Sequence, residues 1–419
     1  MSTSALLPEA PLCRVRPLAW EERAGATALA LARDSGEYDG VPARTPEGMG
    51  ARVEAGRGLR VLIAGGGTGG HLFPGIALAE EIRERGGEAL FVGTERGIEA
   101  RVLPRHGWPL ETIEVVGIKG RGVLGLVRGL FKLPGAFFQS RAILRRFRPD
   151  VVIGVGGYAS GPLVATAALL RVPTAIMEQN SIPGVTNRIL GRVVRAVFTS
   201  FPDVGGHFPA RKVVRAGNPI RRQLLERLDD APRASDHPPR LFVFGGSQGA
   251  QAINQAVLEA LPSVLTAIPE LELWHQTGEA EHARVQSGYA ALGLTPPRAR
   301  VDSFIHDMAA PYRWADLVLC RAGATSVAEL AAVARPAILI PFPHAADDHQ
   351  EWNARALVDV GAAVRLRQSE LGEGRLADAL TALLSDRERL TSMQEAMRTV
   401  ARPAAAADIY DGMAALLRR

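Results

Sequence analysis

The sequence predicts an α/β protein with two Rossmann-like, doubly wound domains that face each other across a cleft. Three observations support this prediction. Short apolar runs, typical of buried parallel strands, alternate along the chain with helical segments. A unit of strand, glycine loop and helix begins near residue 59 and again near residue 241. The chain has 419 residues, more than one ordinary hydrophobic core accommodates.

The predicted strands form two groups, one in each half of the chain. The first group comprises Leu59–Ala64, Glu88–Val92, Asp150–Val155, Pro173–Met177 and Ala196–Thr199. The second group comprises Leu241–Phe244, Leu271–Gln276, Asp316–Cys320 and Pro336–Pro341, and we expect these four to complete the second sheet. Between the groups, Gly217-Asn-Pro219 is typical of a hinge. Residues 1–57 show no clear period, which predicts a poorly ordered extension.

Composition narrows the class of protein. Hydrophobic residues make up 47% and charged residues 22%, as in ordinary soluble globular proteins. Aromatic residues make up only 5%, so platforms for stacking nucleic-acid bases are not expected. The two cysteines, Cys13 and Cys320, give neither a metal-binding spacing nor a disulfide framework, which indicates a reducing cytoplasm. Neither a secretory signal nor an apolar run long enough to span a membrane is visible.

Two glycine-rich loops follow neighbouring strands of the first group. The first is Gly65-Gly-Gly-Thr-Gly-Gly-His71 and the second is Gly154-Val-Gly-Gly-Tyr-Ala-Ser-Gly161. Glycines let backbone N–H groups approach an anion, and the helix that follows favours negative charge at its N-terminus. The pair therefore indicates a place for a diphosphate. The first loop also fits the dinucleotide pattern G-x-G-x-x-G, although that pattern alone is weak.

His71 ends the first glycine loop, where the helix dipole disfavours the imidazolium form. A neutral imidazole near pH 7 can act as a general base. The structural alternative is a histidine that only bonds the backbone at the start of a helix.

Polar residues cluster after two strands of the second group, where open α/β sheets bind ligands. Ser326-x-x-Glu329 has the spacing of a helix capping box, and an ionised Glu329 also suits the hydroxyls of a ribose. The loop Phe342–Gln350 is rich in His, Asp and Gln; its spacing fits no standard metal motif, so we interpret it as a surface that binds hydroxyl groups. Asp-x-Asp, the usual sequence sign of a diphosphate held by a metal ion, is absent from the chain. If a diphosphate leaves in a transfer reaction, its charge must then be stabilised by loop amides and an arginine such as Arg221. The alternative for Arg221 is a surface ion pair.

The stretch 117–148 interleaves large apolar residues with cations, a pattern that suits a surface of anionic lipid. Its glycines and Pro134 are expected to break the helix and leave apolar side chains outside the core. The alternative is an amphipathic helix that packs on the sheet with a solvated basic face.

Seven segments, taken together and in order, resemble the MurG family of peptidoglycan N-acetylglucosaminyltransferases, which have the GT-B fold. The segments are GGGTGGHLFPGIALAEE (65–81), GVGGYASGP (154–162), EQNSIPGVTNR (178–188), GNPIR (217–221), GGSQGAQAINQ (245–255), CRAGATSVAEL (320–330) and PHAADDHQEWNA (343–354). The resemblance covers about residues 58–419.

The resemblance implies an inverting transfer of N-acetylglucosamine from UDP-GlcNAc to the muramyl sugar of undecaprenyl-diphosphate-muramoyl-pentapeptide, at the cytoplasmic face of the bacterial membrane. It implies an acceptor- and membrane-binding domain at 58–218, a donor-binding domain at 219–400, and a C-terminal helix at 401–419 that returns to the first domain. No cofactor and no metal site are expected. The implied partners are the two substrates and the anionic membrane surface, with other cell-wall proteins as further candidates and no nucleic acid.

The resemblance also implies roles for individual residues. His71 matches the position of a catalytic base. The positions that match contacts to UDP-GlcNAc are Thr68, Gly69, Gly70, Asn180, Arg221, Ser247, Ile305, Ala324, Thr325, Ser326, Glu329 and Gln350. The positions expected to hold the acceptor diphosphate are Gly66, Gly67, Gly156, Gly157, Tyr158 and Ser160.

Two other functions remain as alternatives. A nicotinamide-dependent oxidoreductase would explain the first glycine loop but neither the second glycine unit nor the 343–354 loop. A non-catalytic sensor of nucleotide sugars would bind UDP-GlcNAc and release no UDP with any acceptor.

Overall fold

The computed structural model describes residues 57–115, 122–202, 205–226, 237–246 and 248–418; the side chains of 122–133 are not described. The predicted extension before Arg57 therefore lies outside the described residues, as do Ser247 and the first part of the 117–148 stretch. Both sheets described below belong to one compact unit of the chain.

Two entirely parallel sheets form the framework. The strands of the first sheet are β1 Arg60–Gly65, β2 Glu88–Gly93, β3 Leu110–Thr112, β4 Val151–Gly156, β5 Thr174–Glu178, β6 Ala196–Thr199 and β7 Val213–Val214. The strands of the second are β8 Arg240–Phe244, β9 Glu272–Gln276, β10 Ala299–Asp302, β11 Leu317–Cys320, β12 Ala337–Leu339 and β13 Ala363–Arg365. The strand orders are β3-β2-β1-β4-β5-β6-β7 and β10-β9-β8-β11-β12-β13. These two sheets confirm the predicted α/β fold with two doubly wound halves.

Helices cover both faces of each sheet. In the first half they are α1 Gly69–Glu84, α2 Glu99–Val102, α3 Gly122–Phe147, α4 Ser160–Leu169 and α5 Val185–Val193. In the second half they are α6 Arg222–Glu226, α7 Gln251–Ala267, α8 His282–Ala291, α9 Ala309–Trp314, α10 Ala324–Ala332, α11 His349–Val358, α12 Arg375–Leu384, α13 Arg387–Val400 and α14 Ala405–Ala415. Short 3₁₀ turns lie at Pro104–His106, Ala210–Lys212, Glu279–Glu281, Ala346–Asp348, Gln368–Glu370 and Leu416–Arg418.

The order of strands reverses direction at one point in each sheet, and ligands of open α/β sheets bind beside such points. In the first sheet the reversal lies between β1 and β4, which pair from Val61 with Val151 to Ala64 with Gly154; the register then shifts by one residue at Gly65, which pairs with Gly156. In the second it lies between β8 and β11, where Leu317 pairs with Leu241. Each of these four strands runs into one of the glycine-containing loops singled out in the sequence. The fold therefore gathers those motifs at two switch points.

The second sheet has two more strands than expected. β10 and β13 are missing from the predicted set, as are β3 and β7 of the first sheet. All four are edge strands of two to four residues, and they are only partly buried. An edge strand faces solvent on one side, so it lacks the continuous apolar run that marks a central parallel strand.

The expected break near Pro134 does not occur, because α3 continues through this proline as one helix of 26 residues. Its C-terminal half buries Ile143, Leu144 and Phe147 against the first sheet. This packing outweighs the hydrogen bond that proline removes. None of the helices in the described part of the chain is both long and apolar enough to cross a membrane.

The last helix in the described part of the chain, α14, packs on α1 and on β6 of the first sheet. Its Ile409 and Met413 are fully buried in the same cluster as Leu72 and Ile76 of α1. The hydroxyl of Tyr410 accepts a hydrogen bond from the Leu59 backbone at 3.3 Å. Where the chain returns toward the first sheet, Arg402 packs so closely on Gly217 that a Cβ there would lie 2.5 Å from its Cβ. The chain passes between the two halves at Gly217 and again at Arg402, and these two segments contact each other.

Candidate functional site

The two glycine loops of the first sheet are joined to each other. The Gly66 N–H donates to the Gly156 carbonyl at 3.2 Å, across the reversal between β1 and β4. Gly157 has a φ of 84°, and a Cβ on it would lie 2.3 Å from the Gly66 oxygen. Only glycine permits both this backbone conformation and this approach. The loops therefore form one rigid surface at the N-terminus of α1.

A buried carboxylate lies beneath the first glycine loop. Glu99 is 1% exposed and accepts hydrogen bonds from the Gly67 N–H at 2.7 Å and from the N–H and hydroxyl of Thr94 at 2.9 and 2.8 Å. A Cβ on Gly66 would clash with this carboxylate at 2.4 Å. Glu99 thus fixes the path of the loop. It also engages the Gly67 N–H, so in this conformation that amide is not free for a diphosphate.

His71 lies in the first turn of α1, half-buried beside the end of β4. Its Nδ1 lies 3.1 Å from Oε1 of Gln179, which follows β5 directly. Burial lowers the pKa of His71 from its ordinary value; the Gln179 hydrogen bond opposes this shift, and nearby His349 adds to it. The imidazole is therefore neutral near pH 7, as a general base must be.

The loop after β5 is organised by Glu178. This buried carboxylate accepts hydrogen bonds from the N–H groups of Asn180 and Gly184 and from the Asn187 amide, at 3.1, 3.2 and 2.9 Å. Burial raises the pKa of Glu178, and these hydrogen bonds oppose the shift. The contacts hold Asn180 at the cleft edge with its side chain directed toward the second sheet.

On the side of the second sheet, the predicted capping box is wrong. α10 begins at Ala324 after Gly323, without a side-chain cap, so Ser326 lies inside the helix. Glu329 is 4% exposed; its Oε1 accepts from Arg221 Nη2 at 3.1 Å and its Oε2 from the Tyr312 hydroxyl at 3.2 Å. The nearby charged and hydroxyl donors satisfy this carboxylate better than a backbone N–H of its own helix, and they position it at the cleft.

Gln276 connects two loops beside the reversal of the second sheet. Its side-chain amide donates to the Gly246 carbonyl at 2.9 Å and accepts from the Ile305 N–H at 3.1 Å. Gly246 precedes Ser247 in the chain, and Ile305 is itself largely buried. The glutamine therefore holds the loop after β8 against the loop after β10.

The polar loop before α11 contributes further groups. Gln350 accepts a hydrogen bond from the Phe342 N–H at 3.0 Å, which ties the two ends of the loop together. In the first turn of α10, outside this loop, the Thr325 hydroxyl is buried and makes no hydrogen bond to another described residue. In the part of the chain that the structure describes, no three His, Cys, Asp or Glu side chains come together as a metal site, and this includes the 343–349 loop.

Residues of both sheets meet across one cleft. Asn353 of α11 is fully buried; its Oδ1 accepts from the Ser181 N–H at 2.9 Å, and its Nδ2 lies 3.2 Å from Asn180 Oδ1. Arg188 pairs with Asp347 at 3.3 Å. These contacts join the loop after β5, which carries Gln179 beside His71, to α11 and the polar loop before it.

Arg221, which follows the Gly217–Pro219 segment, contacts residues of both halves of the protein. Its guanidinium lies 5.3 Å from the centre of the Phe73 ring, which belongs to α1. The same side chain pairs with Glu329 of α10. α1 and α10 also touch each other. Arg221 and the contact between α1 and α10 therefore hold these two helices side by side.

Two of the predicted acceptor residues are less well placed than their neighbours. The Ser160 side chain is fully buried against β4, where a Cβ on Gly154 would lie 2.3 Å from its hydroxyl. The whole residue, backbone included, is enclosed in this conformation. The Tyr158 ring is 53% exposed and extends into solvent. Thr68 and Gly70 are exposed at the start of α1.

Sequence reasoning missed the side chains that support the site: Gln179, Glu99, Tyr312, Gln276 and Asn353. One signal was present for two of them, because Gln179 follows β5 directly and Gln276 is the last residue of β9. A buried amide at the carboxyl end of a parallel strand lies where ligands bind. The other three are recognisable only from the folded chain.

Comparison with known proteins identifies the family. Residues 61–199 match the glycosyltransferase family 28 N-terminal domain, and residues 240–409 match the glycosyltransferase family 28 C-terminal domain. A UDP-N-acetylglucosamine--N-acetylmuramyl-(pentapeptide) pyrophosphoryl-undecaprenol N-acetylglucosamine transferase from Anaeromyxobacter sp. (strain Fw109-5) is 53% identical over 363 residues, which cover 86% of this chain and 94% of the relative. The protein of the same name from Myxococcus xanthus (strain DK1622) is 53% identical over 355 residues, 84% of this chain and 92% of the relative.

Solved structures agree with this family. The crystal structure of Acinetobacter baumannii MurG superposes with a TM-score of 0.70 at 33% identity and covers 85% of this chain and 99% of that one. The resemblance found in the sequence motifs is thereby confirmed, as is the GT-B fold that it implied. The chain belongs to glycosyltransferase family 28 and, within it, to the MurG family of N-acetylglucosaminyltransferases.

Proposed function

We propose that the protein transfers N-acetylglucosamine from UDP-GlcNAc to the muramyl sugar of undecaprenyl-diphosphate-muramoyl-pentapeptide, with inversion to a β-1,4 linkage. The observation that carries this proposal is that Arg221 joins α1, whose first turn holds the neutral imidazole of His71, to Glu329 of α10. The choice of both substrates is supported by the names of the relatives and by the large share of each chain that the similarity covers.

The proposed reaction is a single displacement. Nε2 of His71 removes the proton from the acceptor hydroxyl, and the oxygen forms a bond to the anomeric carbon of the donor. The bond from that carbon to the diphosphate oxygen breaks, and UDP leaves with the electron pair. The developing charge is met by Arg221 and by the N-terminal amides of α10. A closed cleft keeps water from replacing the acceptor.

We assign the donor to the side of the second sheet. Glu329 accepts hydrogen bonds from the ribose hydroxyls, the loop with Ser247 and the backbone at Ile305 hold the nucleotide, and Ala324–Ser326 face the diphosphate. Gln350 meets the sugar. Thr68, Gly69, Gly70 and Asn180 complete the donor contacts from the other side of the cleft.

We assign the acceptor diphosphate to the glycine loops of the first sheet. Gly66, Gly156, Gly157 and Tyr158 line this place, and Ser160, the remaining residue of the predicted set, is fully buried beside them. Gly67 lies in the same loop, with its N–H already bound to Glu99. The domains proposed for these roles are residues 58–218 and 219–400, with 1–57 as an extension and the helix in 401–419 as a tie back to the first domain.

We further propose that the first domain lies on the anionic cytoplasmic surface of the bacterial membrane, where a lipid-linked acceptor is reached and other cell-wall proteins can be met. Exposed apolar side chains on neighbouring helices support this proposal. Val185, Ile189 and Val193 follow one face of α5 and are 55–59% exposed; Leu169 at the end of α4 is 73% exposed, and Phe138 of α3 is 67% exposed. Cations such as Arg192 and Arg195 lie among them.

The test is UDP release by the purified protein, with and without a short-chain analogue of the lipid-linked acceptor. The proposal predicts UDP release from UDP-GlcNAc only when acceptor is present, and none from UDP-GalNAc. Binding of UDP-GlcNAc without any release would instead favour a nucleotide-sugar sensor. Release that does not depend on acceptor would indicate a hydrolase.

A further inference from the structure

The ring of His71 is held from two sides by the ends of neighbouring strands. On one side, Nδ1 lies 3.1 Å from Oε1 of Gln179. On the other side is Gly156, which has a φ of 97° and on which a Cβ would lie 2.7 Å from the same Nδ1. Only glycine leaves room for the ring there. The imidazole is therefore fixed in orientation.

The amide orientation of Gln179 follows from a second contact. Its Nε2 donates to the Val155 carbonyl at 3.0 Å. A carbonyl oxygen can only accept, so the nitrogen of the amide must face Val155 and the oxygen must face His71. Gln179 is 1% exposed, so this geometry does not compete with water.

The same reasoning fixes the proton on His71. Oε1 of Gln179 can only accept, so Nδ1 of His71 must carry a hydrogen and donate it. In the neutral ring the other nitrogen, Nε2, then holds a lone pair. That lone pair is what a base needs to remove a proton from a hydroxyl.

We propose that Gln179 is a positioning residue, which holds His71 as the Nδ1–H tautomer and so presents Nε2 as the base. This inference rests on the base role of His71 in the proposed function. Gln179 itself touches no reacting atom. The groups that hold the His71 ring come from the ends of two neighbouring strands. Val155 and Gly156 end β4, and Gln179 directly follows β5.

The charged surroundings explain why an amide holds this position. From the second sheet His349 faces His71 and lowers its pKa further. Two buried carboxylates of the first half are engaged elsewhere: Glu99 bonds Gly67 and Thr94, and Glu178 bonds Asn180, Gly184 and Asn187. A carboxylate in place of Gln179 would stabilise the imidazolium and raise the pKa of His71. A neutral amide fixes the tautomer and leaves the ring unprotonated.

The first measurement is the tautomer itself. In ¹⁵N-histidine-labelled protein, the signals of His71 are identified among the nine histidines by their loss in His71→Ala. For the unmodified protein at pH 7.5 we expect Nδ1 to resonate as a protonated nitrogen and Nε2 as an unprotonated one. In Gln179→Met, which has similar length and no hydrogen-bonding amide, we expect Nδ1–H to lose its dominance.

The second measurement is the pH profile of kcat/KM. Gln179→Met is expected to lower kcat by about 10²-fold, since a positioned base contributes roughly 10²–10⁴-fold. Gln179→Glu keeps an acceptor at Nδ1, and we expect it to retain more activity while its acid limb moves to higher pH. A merely structural role of Gln179 would move neither the tautomer nor the limb. Circular dichroism and UDP-GlcNAc affinity monitor the fold of both variants.

Gln276→Met provides the matched comparison, because Gln276 is the other buried amide at a strand end and connects Gly246 with Ile305. This variant is expected to raise the KM for UDP-GlcNAc and to leave the His71 tautomer unchanged. An unchanged tautomer in Gln179→Met would overturn the inference. A changed tautomer with undiminished kcat would instead confirm the role of Gln179 in fixing the ring and overturn the base role of His71.

Discussion

At the scale of single residues, the donor side of the cleft depends on how Glu329 is held. Its two carboxylate oxygens receive separate donors, Arg221 on one and Tyr312 on the other. Tyr312 is fully buried, and its backbone carbonyl accepts from Arg335 at 2.6 Å. The carboxylate thus has a fixed direction before any ligand arrives, while each oxygen keeps a lone pair for a ribose hydroxyl.

Tyr312→Phe tests this arrangement. Without the Tyr312 hydroxyl, the buried carboxylate loses a hydrogen bond that orients it. We expect the binding free energy of UDP-GlcNAc to weaken by roughly 1.5 kcal/mol, which corresponds to about a tenfold rise in its KM. We expect kcat to change little. Tyr289→Phe is the control, because its hydroxyl bonds His275 at 2.7 Å within the core of the second half. That variant should lower stability and keep the KM; equal KM values for both variants would contradict the role of Tyr312.

Gly156→Ala tests the steric limit beside His71. A methyl group 2.7 Å from Nδ1 must displace the ring, and a displacement of about 1 Å can lower the rate by ~10²-fold. The control is Gly86→Ala, at a φ of 71° with no atom within 4 Å of the added Cβ. Both variants place alanine at a positive φ and should lower the unfolding temperature, Gly156→Ala more because of the added contact with His71, while only Gly156→Ala should lose turnover. Wild-type turnover in Gly156→Ala would show that the ring position is not critical.

At the scale of elements, the central strands could be predicted from sequence and the edge strands could not. β1, β4, β8 and β11 are buried on both faces, so each is a continuous apolar run next to a glycine loop. The edge strands β3, β7, β10 and β13 have two to four residues and are only partly buried, so their short runs resemble loops. In α3, tertiary packing outweighs a local proline signal. Local pattern thus predicts elements where burial is complete on both faces.

The exposed face of α5 gives a prediction at this scale. Ile189→Glu places a negative charge in the centre of the apolar row formed with Val185 and Val193. Co-sedimentation with phosphatidylglycerol vesicles should fall several-fold, because the new charge is repelled by anionic lipid and loses apolar contact. UDP-GlcNAc binding in solution should not change.

Val360→Glu is the matched control for this substitution, since Val360 is 41% exposed beyond α11 in the second half of the chain. It should leave vesicle binding intact. Equal binding of both variants to the vesicles would remove α5 from the proposed membrane surface.

At the scale of the whole molecule, Asn353 is the buried link between the two halves of the cleft. It contacts Ser181, Asn180 and the Ala322 carbonyl, residues far away in sequence.

Contacts between residues far apart in sequence explain why sequence analysis missed the side chains that support the site. Glu99 bonds Gly67 across 32 positions, and Asn353 bonds Ser181 across 172. Motifs indicated the loops that line the cleft, whereas the contacts that hold those loops depend on the parallel topology.

Asn353→Ala tests whether this link keeps the cleft closed. It leaves the buried Ser181 N–H unpaired, which costs about 1–3 kcal/mol. Small-angle scattering without ligand should show a larger radius of gyration, and UDP-GlcNAc should reduce it. Arg188→Ala is the comparison, because its partly exposed ion pair with Asp347 contributes about 0–1 kcal/mol. If Asn353→Ala scatters like the unmodified protein, closure depends on other contacts.

The most direct test of the whole account is the single-turnover rate of sugar transfer by His71→Ala, measured together with its affinity for UDP-GlcNAc. A general base contributes roughly 10²–10⁴-fold, so the rate of transfer should fall by at least 10²-fold. The affinity for UDP-GlcNAc should stay within about twofold, because in this account Arg221, Glu329 and the α10 N-terminus hold the nucleotide. Near-normal transfer by His71→Ala would contradict the account, since no base would then be needed at that side of the cleft.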